Sequence, residues 1–305
     1  MNNIKYESRY SCHKIINNYP WPILIDLHLH TTKSDGNLTP SQLIKFVDTT
    51  DLQVISITDH DNINGINEAE KEVSIRKNLT LINGIELSTK YKDKEIHLLG
   101  YFIDTKSKLL KNKLDEIKEG RIEFSKKILY ILEQKNIFLS WDKIFASTSG
   151  IIGRPHIAKA MIEKKYVSSI NEAFEKYLND ENIMNIKRFS INTYDAIEII
   201  QGSGGISSIA HPKSIIDFDS ELKGFVDTGL SGIEVYAEKY QPKTQNFFME
   251  LCKKYNLIPT GGTDYHANMT SNEMTPGMNG PPYEIFGILK DRARSIHKKN
   301  IGQKI

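Results

Sequence analysis

The sequence predicts an α/β fold: a mostly parallel sheet flanked by helices and broken by a helical insertion. Two observations carry that prediction. Short apolar strand candidates alternate with helical patterns over residues 22–103 and again from residue 195, the order that builds a parallel sheet. Between residues 104 and 194 the strands stop and Lys/Glu-rich helical segments take over. At 305 residues the chain is long enough to bury one large barrel with an inserted subdomain, and too short for a multidomain polymerase.

Taken in order, the first strand candidate is Ile23-Leu24-Ile25. Thr39-Pro40-Ser41-Gln42 then supplies a cap, a proline suited to the first helical position and a capping-box glutamine, predicting a helix through Val47. Strand Val54–Ile57, a helix over 62–77, strand Thr80–Ile82 and strand Ile96–Leu99 follow. The insertion contains helical segments Leu109–Gln134 and Ala173–Leu178. A helix over 193–202, strands Gly205–Ile209 and Gly232–Val235, a helix over 242–256 and strand Leu257–Thr260 resume the alternation. These elements divide the chain into a discontinuous barrel (22–103 and 195–290), a helical insertion (104–194), an N-terminal extension (1–21) and a basic C-terminal tail (291–305), with the stretch Arg292–Ile305 expected to fray. A Gly/Pro-rich loop at 276–282 is open to a role in shaping a substrate pocket.

Composition narrows the functional classes. Apolar and charged fractions of 39% and 26% are those of a globular protein. No apolar run approaches the ~20 residues of a membrane helix. Residues 1–21 lack the apolar stretch and cleavage site of a signal peptide, which predicts a cytoplasmic protein without a membrane partner. Cys12 and Cys252 stand in neither a metal-type nor a redox-type spacing, so any metal must be held by nitrogen and oxygen. The net charge of +2 is unevenly spread: residues 104–194 carry 17 Lys and Arg against 12 Asp and Glu, a surplus of 5 that leaves the remainder at −3. A basic segment beside an acidic metal site would steer anionic substrates toward it, although solvated helix faces explain most individual lysines equally well. No DNA-binding motif or aromatic-studded basic stripe is present, so no stable DNA partner is expected.

The chemistry sits where strands end. In Asp26-Leu27-His28-Leu29-His30, side chains at i and i+2 share a face, so His28 and His30 converge with Asp26 behind them while Leu27 and Leu29 face away. Asp35 lies in the polar turn Lys33-Ser34-Asp35-Gly36, close enough to return to the same strand end. The design repeats in Thr58-Asp59-His60-Asp61, Gly84-Ile85-Glu86, Glu95-Ile96-His97, Ala210-His211-Pro212 and Gly262-Thr263-Asp264-Tyr265-His266. Parallel barrels gather the carboxyl ends of their strands on one rim, where catalytic groups are found. So many histidines and acids would make a poor core, because buried unpaired polar groups are costly. Imidazole and carboxylate donors without thiolate suit zinc, manganese or iron, and the ligand count accommodates more than one ion, an apparatus fitted to phosphoester hydrolysis.

These four segments, Asp26–Thr31, Ile57–Asp61, Ala210–Pro212 and Gly262–His266, resemble the signature motifs of the PHP (polymerase and histidinol phosphatase) superfamily. Gly153-Arg154-Pro155-His156-Ile157-Ala158 resembles an element of the branch containing nucleoside 3′,5′-bisphosphate phosphatases and 5′-to-3′ oligoribonucleases. The resemblance implies a distorted (β/α)7 barrel of the TIM-like kind with two or three divalent ions. His28, His30, Glu86 and Asp264 would surround the first, and Asp35, His60 and His266 the second. Glu86 would bridge to a third held with His97 and His211. Arg154 is read as a clamp for a substrate phosphate, or else as a structural salt bridge between insertion and barrel. His156 either donates to the same phosphate or orients Arg154. Asp59 is read as a partner of a ligand or as a proton acceptor. The expected function is hydrolysis of a phosphoester on a small anionic nucleotide of the 3′,5′-bisphosphate type, or on short RNA, by metal-activated water. The competing expectations are a phosphatase for a metabolite such as histidinol phosphate and a non-catalytic, metal-stabilised module that binds a phosphorylated ligand.

Overall fold

Each strand is a short aliphatic run whose alternate side chains turn into a barrel or out against helices, and the strands are short because each ends at a polar residue of the rim. The computed structural model describes residues 21–302 except 93, 149–151, 187–188, 213–218, 238–239, 269 and 271–272. The N-terminal extension expected at 1–21, apart from Trp21, therefore lies outside the described residues. The strands are β1 (Ile25–Leu29), β2 (Val54–Ile57), β3 (Thr80–Tyr91), β4 (Lys94–Tyr101), β5 (Ile191–Asn192), β6 (Ile206–Ile209), β7 (Gly232–Tyr236) and β8 (Ile258–Gly261). Seven of them pair in the order β1-β2-β3-β4-β6-β7-β8, and β5 adds to the far end of β3. A parallel bridge between Leu29 and Tyr265, with His30 N–H donating to Tyr265 O at 2.9 Å, brings the first strand to the last and nearly closes the barrel.

The pairs are parallel except at β4, which runs antiparallel to both β3 and β6. Only residues 92 and 93 separate β3 from β4, and so short a link can only reverse the chain. One inverted strand is thus the departure from a regular barrel, and it carries His97 up to the rim from the opposite direction.

Helices α1 (Pro40–Val47) and α2 (Ile66–Ser74) cover β1 and β2. The capping box forms as its sequence requires, with Gln42 N–H donating to Thr39 Oγ1 at 3.2 Å and Thr39 N–H to Gln42 Oε1 at 2.9 Å. Helices α3 (Lys108–Gln134), α4 (Trp141–Ala146), α5 (Arg154–Glu163), α6 (Ile170–Ala173, running into a π-turn over Phe174–Leu178) and α7 (Glu181–Met184) fill the stretch between β4 and β5. Ile128, Leu132, Ile157, Met161 and Leu178 there form an apolar cluster of their own. Helices α8 (Thr193–Gly202), α9 (Asp219–Thr228) and α10 (Pro242–Tyr255) return the chain along the barrel's outer wall.

In the C-terminal part, helix α11 runs over Glu284–Gly302 and so through most of the stretch expected to fray. Its Ile285, Leu289 and Ala293 pack with Val54, Ile82, Tyr101, Ile206 and Ile258, which lie at the end of the barrel away from the histidines. The Gly/Pro-rich loop leads into that helix, and residues 276–282 do not line the cavity beside the histidines. Gly280 comes so close to β1 that a Cβ there would stand 1.9 Å from Ile25 O. Asn279 is buried, with Nδ2 donating to Gly262 O at 3.5 Å. Among the described residues, no helix is long and apolar enough to cross a membrane.

Candidate active site

At the other end of the barrel, polar side chains replace the apolar ones. Glu86, fully buried on β3, is the hub. Its Oε2 lies 3.1 Å from His28 Nε2, 3.2 Å from His30 Nε2 and 3.1 Å from His60 Nδ1. Its Oε1 lies 2.9 Å from His97 Nδ1 and 3.1 Å from His211 Nε2. Asp264 Oδ1 lies 3.2 Å from His28 Nε2 and 3.1 Å from His30 Nε2. Asp35 returns from its turn to within 3.8 Å of His60 Nε2 and 3.4 Å of His266 Nε2. All nine residues singled out as metal ligands in the sequence are therefore drawn into one cluster. Three strand ends hold non-glycine residues in the left-handed region, Asp61 at φ 49°, His211 at 28° and Asp264 at 52°. Each such residue costs on the order of 1–3 kcal/mol and is typically retained where function demands the geometry.

Electrostatics inside the cluster are those of opposed charges in a dry place. Burial pushes the Glu86 carboxyl up, but the imidazoles of His60, His28 and His97 outweigh it and hold it well below the usual range. Burial likewise opposes protonation of His28, yet Asp264, Glu234 and Glu86 hold it well above its ordinary value. Burial opposes protonation of His30 as well, and the adjacent carboxylates of Asp264 and Glu86 overcome it and raise the ring to about 10. Glu86 does the same for His97, also to about 10. His60 goes the other way, down to about 4, because burial and the neighbouring His30 and His97 outweigh Glu86 and Asp35.

The donor set fits divalent cations. His30 Nδ1 and Nε2, His60 Nδ1 and Asp35 Oδ1 are buried without a hydrogen-bond partner. Native proteins seldom leave buried polar atoms in that condition, and a bound cation would satisfy them. Three groups have donor atoms within 4.8 Å of each other: His28, His30, Glu86 and Asp264; His30, Asp35, His60 and His266; and His60, Glu86 and His97. The chemistry is all nitrogen and oxygen, since Cys252 is buried among apolar residues of the outer wall.

Two further aspartates lie behind the cluster. Asp59 is expected from the sequence to be a ligand's partner or a proton acceptor. Its Oδ1 accepts from Thr31 N–H and Ser34 Oγ, and its Oδ2 from Thr31 Oγ1, all at 2.7 Å. The carboxylate thus holds the turn that presents Asp35, and it does not line the cavity. Asp26 does not converge with the imidazoles either. Its carboxylate accepts from Thr263 N–H at 3.0 Å and Thr263 Oγ1 at 2.7 Å, tying β1 to the end of β8. Burial pushes it up to about 7 against those hydrogen bonds.

A cavity of about 200 Å³ opens beside the cluster, lined by Asp35, His60, Glu95 and His97 of the barrel and by Arg121, Arg154 and His156 of α3 and α5. His156 Nδ1 accepts from Gly153 N–H at 3.2 Å, which closes the start of α5 and leaves the proton on Nε2. Burial, with Lys159 nearby, lowers its pKa. Arg154 stacks over Phe174, with Cζ 5.5 Å from the ring centroid, and donates to Met184 Sδ. Among the described residues it makes no ion pair.

Two functional groups escaped the sequence reading. Glu234, fully buried on β7, lies with Oε1 3.1 Å from His28 Nδ1, and its Oε2 accepts from His211 N–H at 2.7 Å. Its signal was present, as a lone acid in the apolar strand Gly232–Tyr236. Arg121 reaches from α3 to pair with Asp61 and donates to Ser88 Oγ at 3.0 Å. Nothing distinguishes it from the other charges of that helix in the sequence.

Comparison with known proteins follows the same line. The PHP domain matches residues 26–251. The chain is 32% identical over 256 residues to a 5′-3′ exoribonuclease of Haemophilus influenzae, covering 79% of this chain and 89% of that one. It is 28% identical to a 3′,5′-nucleoside bisphosphate phosphatase of Chromobacterium violaceum, covering 80% and 87%. A crystal structure from Bifidobacterium adolescentis, described as a metal-dependent phosphoesterase, superposes with a TM-score of 0.78 at 26% identity over 88% of this chain and 96% of that one.

Proposed function

The chain belongs to the PHP domain family and is a hydrolase acting on phosphoric ester bonds, and from that premise we propose that its substrate is a small nucleotide of the 3′,5′-bisphosphate type or a short oligoribonucleotide. One observation carries the reading: a single cavity is lined both by Asp35, His60 and His97 of the candidate metal cluster and by the donors Arg121, Arg154 and His156. A phosphoester with a second phosphate is the ligand whose charges match both. The names of the relatives, a nucleoside bisphosphate phosphatase and an exoribonuclease, support the same class.

We assign His28, His30, Glu86 and Asp264 to one divalent ion, and Asp35, His60 and His266 to a second with His30 beside them. Glu86 extends to a third with His97 and His211. Manganese, zinc and iron all suit such donors. Bound there, divalent ions supply Lewis-acid stabilisation of phosphoryl charge and lower the pKa of water. The chain's own side chains do the rest. Glu234 accepts from His28 Nδ1, turning Nε2 toward the cluster, as carboxylates behind metal-ligating imidazoles do. Asp59 fixes the Thr31–Ser34 turn and so the reach of Asp35. The planar fork of Arg154 and the Nε2–H of His156 bind phosphate oxygens. His28 and His30, at 0% and 1% exposure, make the floor of the site dry, which strengthens every charge interaction above it. Nucleotide substrates also accord with a cytoplasmic enzyme.

Initial rates on adenosine 3′,5′-bisphosphate, short RNA and histidinol phosphate with Mn²⁺ test the assignment. Turnover of the bisphosphate or RNA ahead of histidinol phosphate, abolished by Asp264→Asn, is expected. Two inert nucleotide substrates beside a consumed histidinol phosphate would overturn it.

A further inference from the structure

The turn that delivers His266 to the cluster is held from two sides by residues the hydrolytic centre does not otherwise use. Asp264 at φ 52° and Ala267 at φ 57° both sit in the left-handed region, which persists in non-glycine residues only where the surroundings enforce it. His266 lies between them. Its backbone N–H donates to Glu273 Oε1 at 2.9 Å, and its carbonyl accepts from the Asn37 N–H at 2.8 Å. Both backbone polar groups of His266 are thus taken by residues from outside the turn.

The Asn37 side chain repeats the grip. Its Nδ2 donates to Ala267 O at 3.3 Å and to Asn268 Oδ1 at 2.8 Å, while its Oδ1 accepts from Lys159 Nζ at 3.4 Å. A flipped amide would set its oxygen against two acceptors, so the contacts choose one orientation. Asn37 also stands two residues from Asp35. Gly36 between them allows an approach so close that a Cβ there would lie 2.7 Å from His30 O. Within the turn, His266 Nδ1 lies 2.8 Å from Asp264 O. A carbonyl can only accept, so the proton is on Nδ1 and Nε2 is left as the coordinating atom, 3.4 Å from Asp35 Oδ1. Neither Asn37 nor Glu273 lines the cavity, and Glu273 is absent from the three groups of cation donors.

We propose that Asn37 and Glu273 are positioning residues for the second ion: they fix the His266 backbone, and with it the span between His266 Nε2 and Asp35, without touching metal or substrate. The proposal rests on the assignment of Asp35, His60 and His266 to that ion. Occupancy of the second ion then depends on the segment that follows β8, while the ion between His28, His30, Glu86 and Asp264 does not.

Mn²⁺ binding to chelator-stripped full-length protein tests it, read by calorimetry and by the manganese retained per chain after equilibrium dialysis. His266→Ala defines the second class of bound ion as the one it removes. Glu273→Ala should weaken that class by roughly 10- to 100-fold, the range for losing a partner that orients a metal ligand, and leave the remaining manganese as in the wild type. Glu273→Gln keeps an acceptor oxygen for the His266 N–H and should bind as the wild type does. Asn37→Ala retains the backbone bond and loses the side-chain ties, so it should weaken the same class by a smaller factor. Wild-type affinity for that class in Glu273→Ala, an equal loss from every class, or a loss in Glu273→Gln as large as in Glu273→Ala would each overturn the proposal. Should Glu273→Ala fail to fold, Asn37→Ala decides by the same readout, and unchanged binding overturns the role. A His266→Ala protein that retains all its manganese removes the ion assignment itself, whereas a class lost in His266→Ala but intact in Glu273→Ala removes the positioning role alone.

Discussion

Glu234→Gln should weaken metal binding and cost a comparable amount of stability while leaving the protein folded. The carboxylate is fully buried, its Oε1 lies 3.1 Å from His28 Nδ1, and its Oε2 accepts the His211 backbone N–H at 2.7 Å. Glutamine fills the same volume but offers one acceptor oxygen and one donor nitrogen. If the oxygen keeps the His211 N–H, the amide donates toward His28 Nδ1, forces the proton to Nε2 and turns the ring's lone pair away from the cluster. If the oxygen faces His28, two donors meet at His211. The first loss is one of ligand orientation, which typically lowers metal affinity by about 10- to 100-fold, or ~1.4–2.7 kcal/mol. The second leaves one buried donor unpaired, at about 1–3 kcal/mol of stability. Mn²⁺ titration calorimetry on chelator-stripped protein reads the first quantity, and urea unfolding of the metal-free protein reads the second. Wild-type Mn²⁺ affinity in a folded Glu234→Gln protein would refute the assignment of Glu234 as the group that positions His28.

Arg121→Met should strand the buried Asp61 carboxylate, whose side chain is 0% exposed against 12% for the arginine. Breaking such a pair from one side costs about 3–5 kcal/mol, read by urea unfolding, and a loss below 1 kcal/mol would show the contact to be ornamental. Leu289→Ala, at 1% exposure in the seal of the barrel, should cost about 2–5 kcal/mol without altering Mn²⁺ affinity; a coupled loss of metal would mean that α11 does more than plug. Because Asp264 and Glu86 hold His30 to about 10 and Glu86 holds His97 there, both imidazoles of the metal-free protein are protonated at neutral pH. An incoming cation must displace those protons, so apparent Mn²⁺ affinity should rise from pH 6 to pH 8. A pH-independent affinity, or no proton release in buffers of different ionisation enthalpy, would contradict that.

Much of the site was legible because strand geometry is simple. Spacing i, i+2 places His28 beside His30 on one face, and both reach Glu86. The same rule separates Asp59 from its neighbour His60: adjacent residues at a strand end point to opposite sides, so the imidazole meets the cluster and the carboxylate meets the Thr31–Ser34 turn. Strand direction was less visible. Ending the third strand at Ile82 hid the fact that β3 continues to Tyr91 and turns within two residues into β4, and with it the one inverted strand. The C-terminal helix was misjudged on charge, although Ile285, Leu289 and Ala293 recur at intervals of four, the signature of a buried helical stripe. Arg121 could not have been found this way, because its role depends on how α3 lies across the rim, a matter of tertiary packing.

The central physical claim is that imidazoles and carboxylates from six separated segments share bound cations in one pocket. Anomalous diffraction from Mn²⁺-soaked crystals, collected on either side of the manganese edge, tests it most directly. Peaks within coordination distance of His28, His30, Asp35, His60, Glu86, His97, His211, Asp264 and His266 are expected. A fully soaked crystal with manganese only at its surface carboxylates and none among these side chains would contradict it.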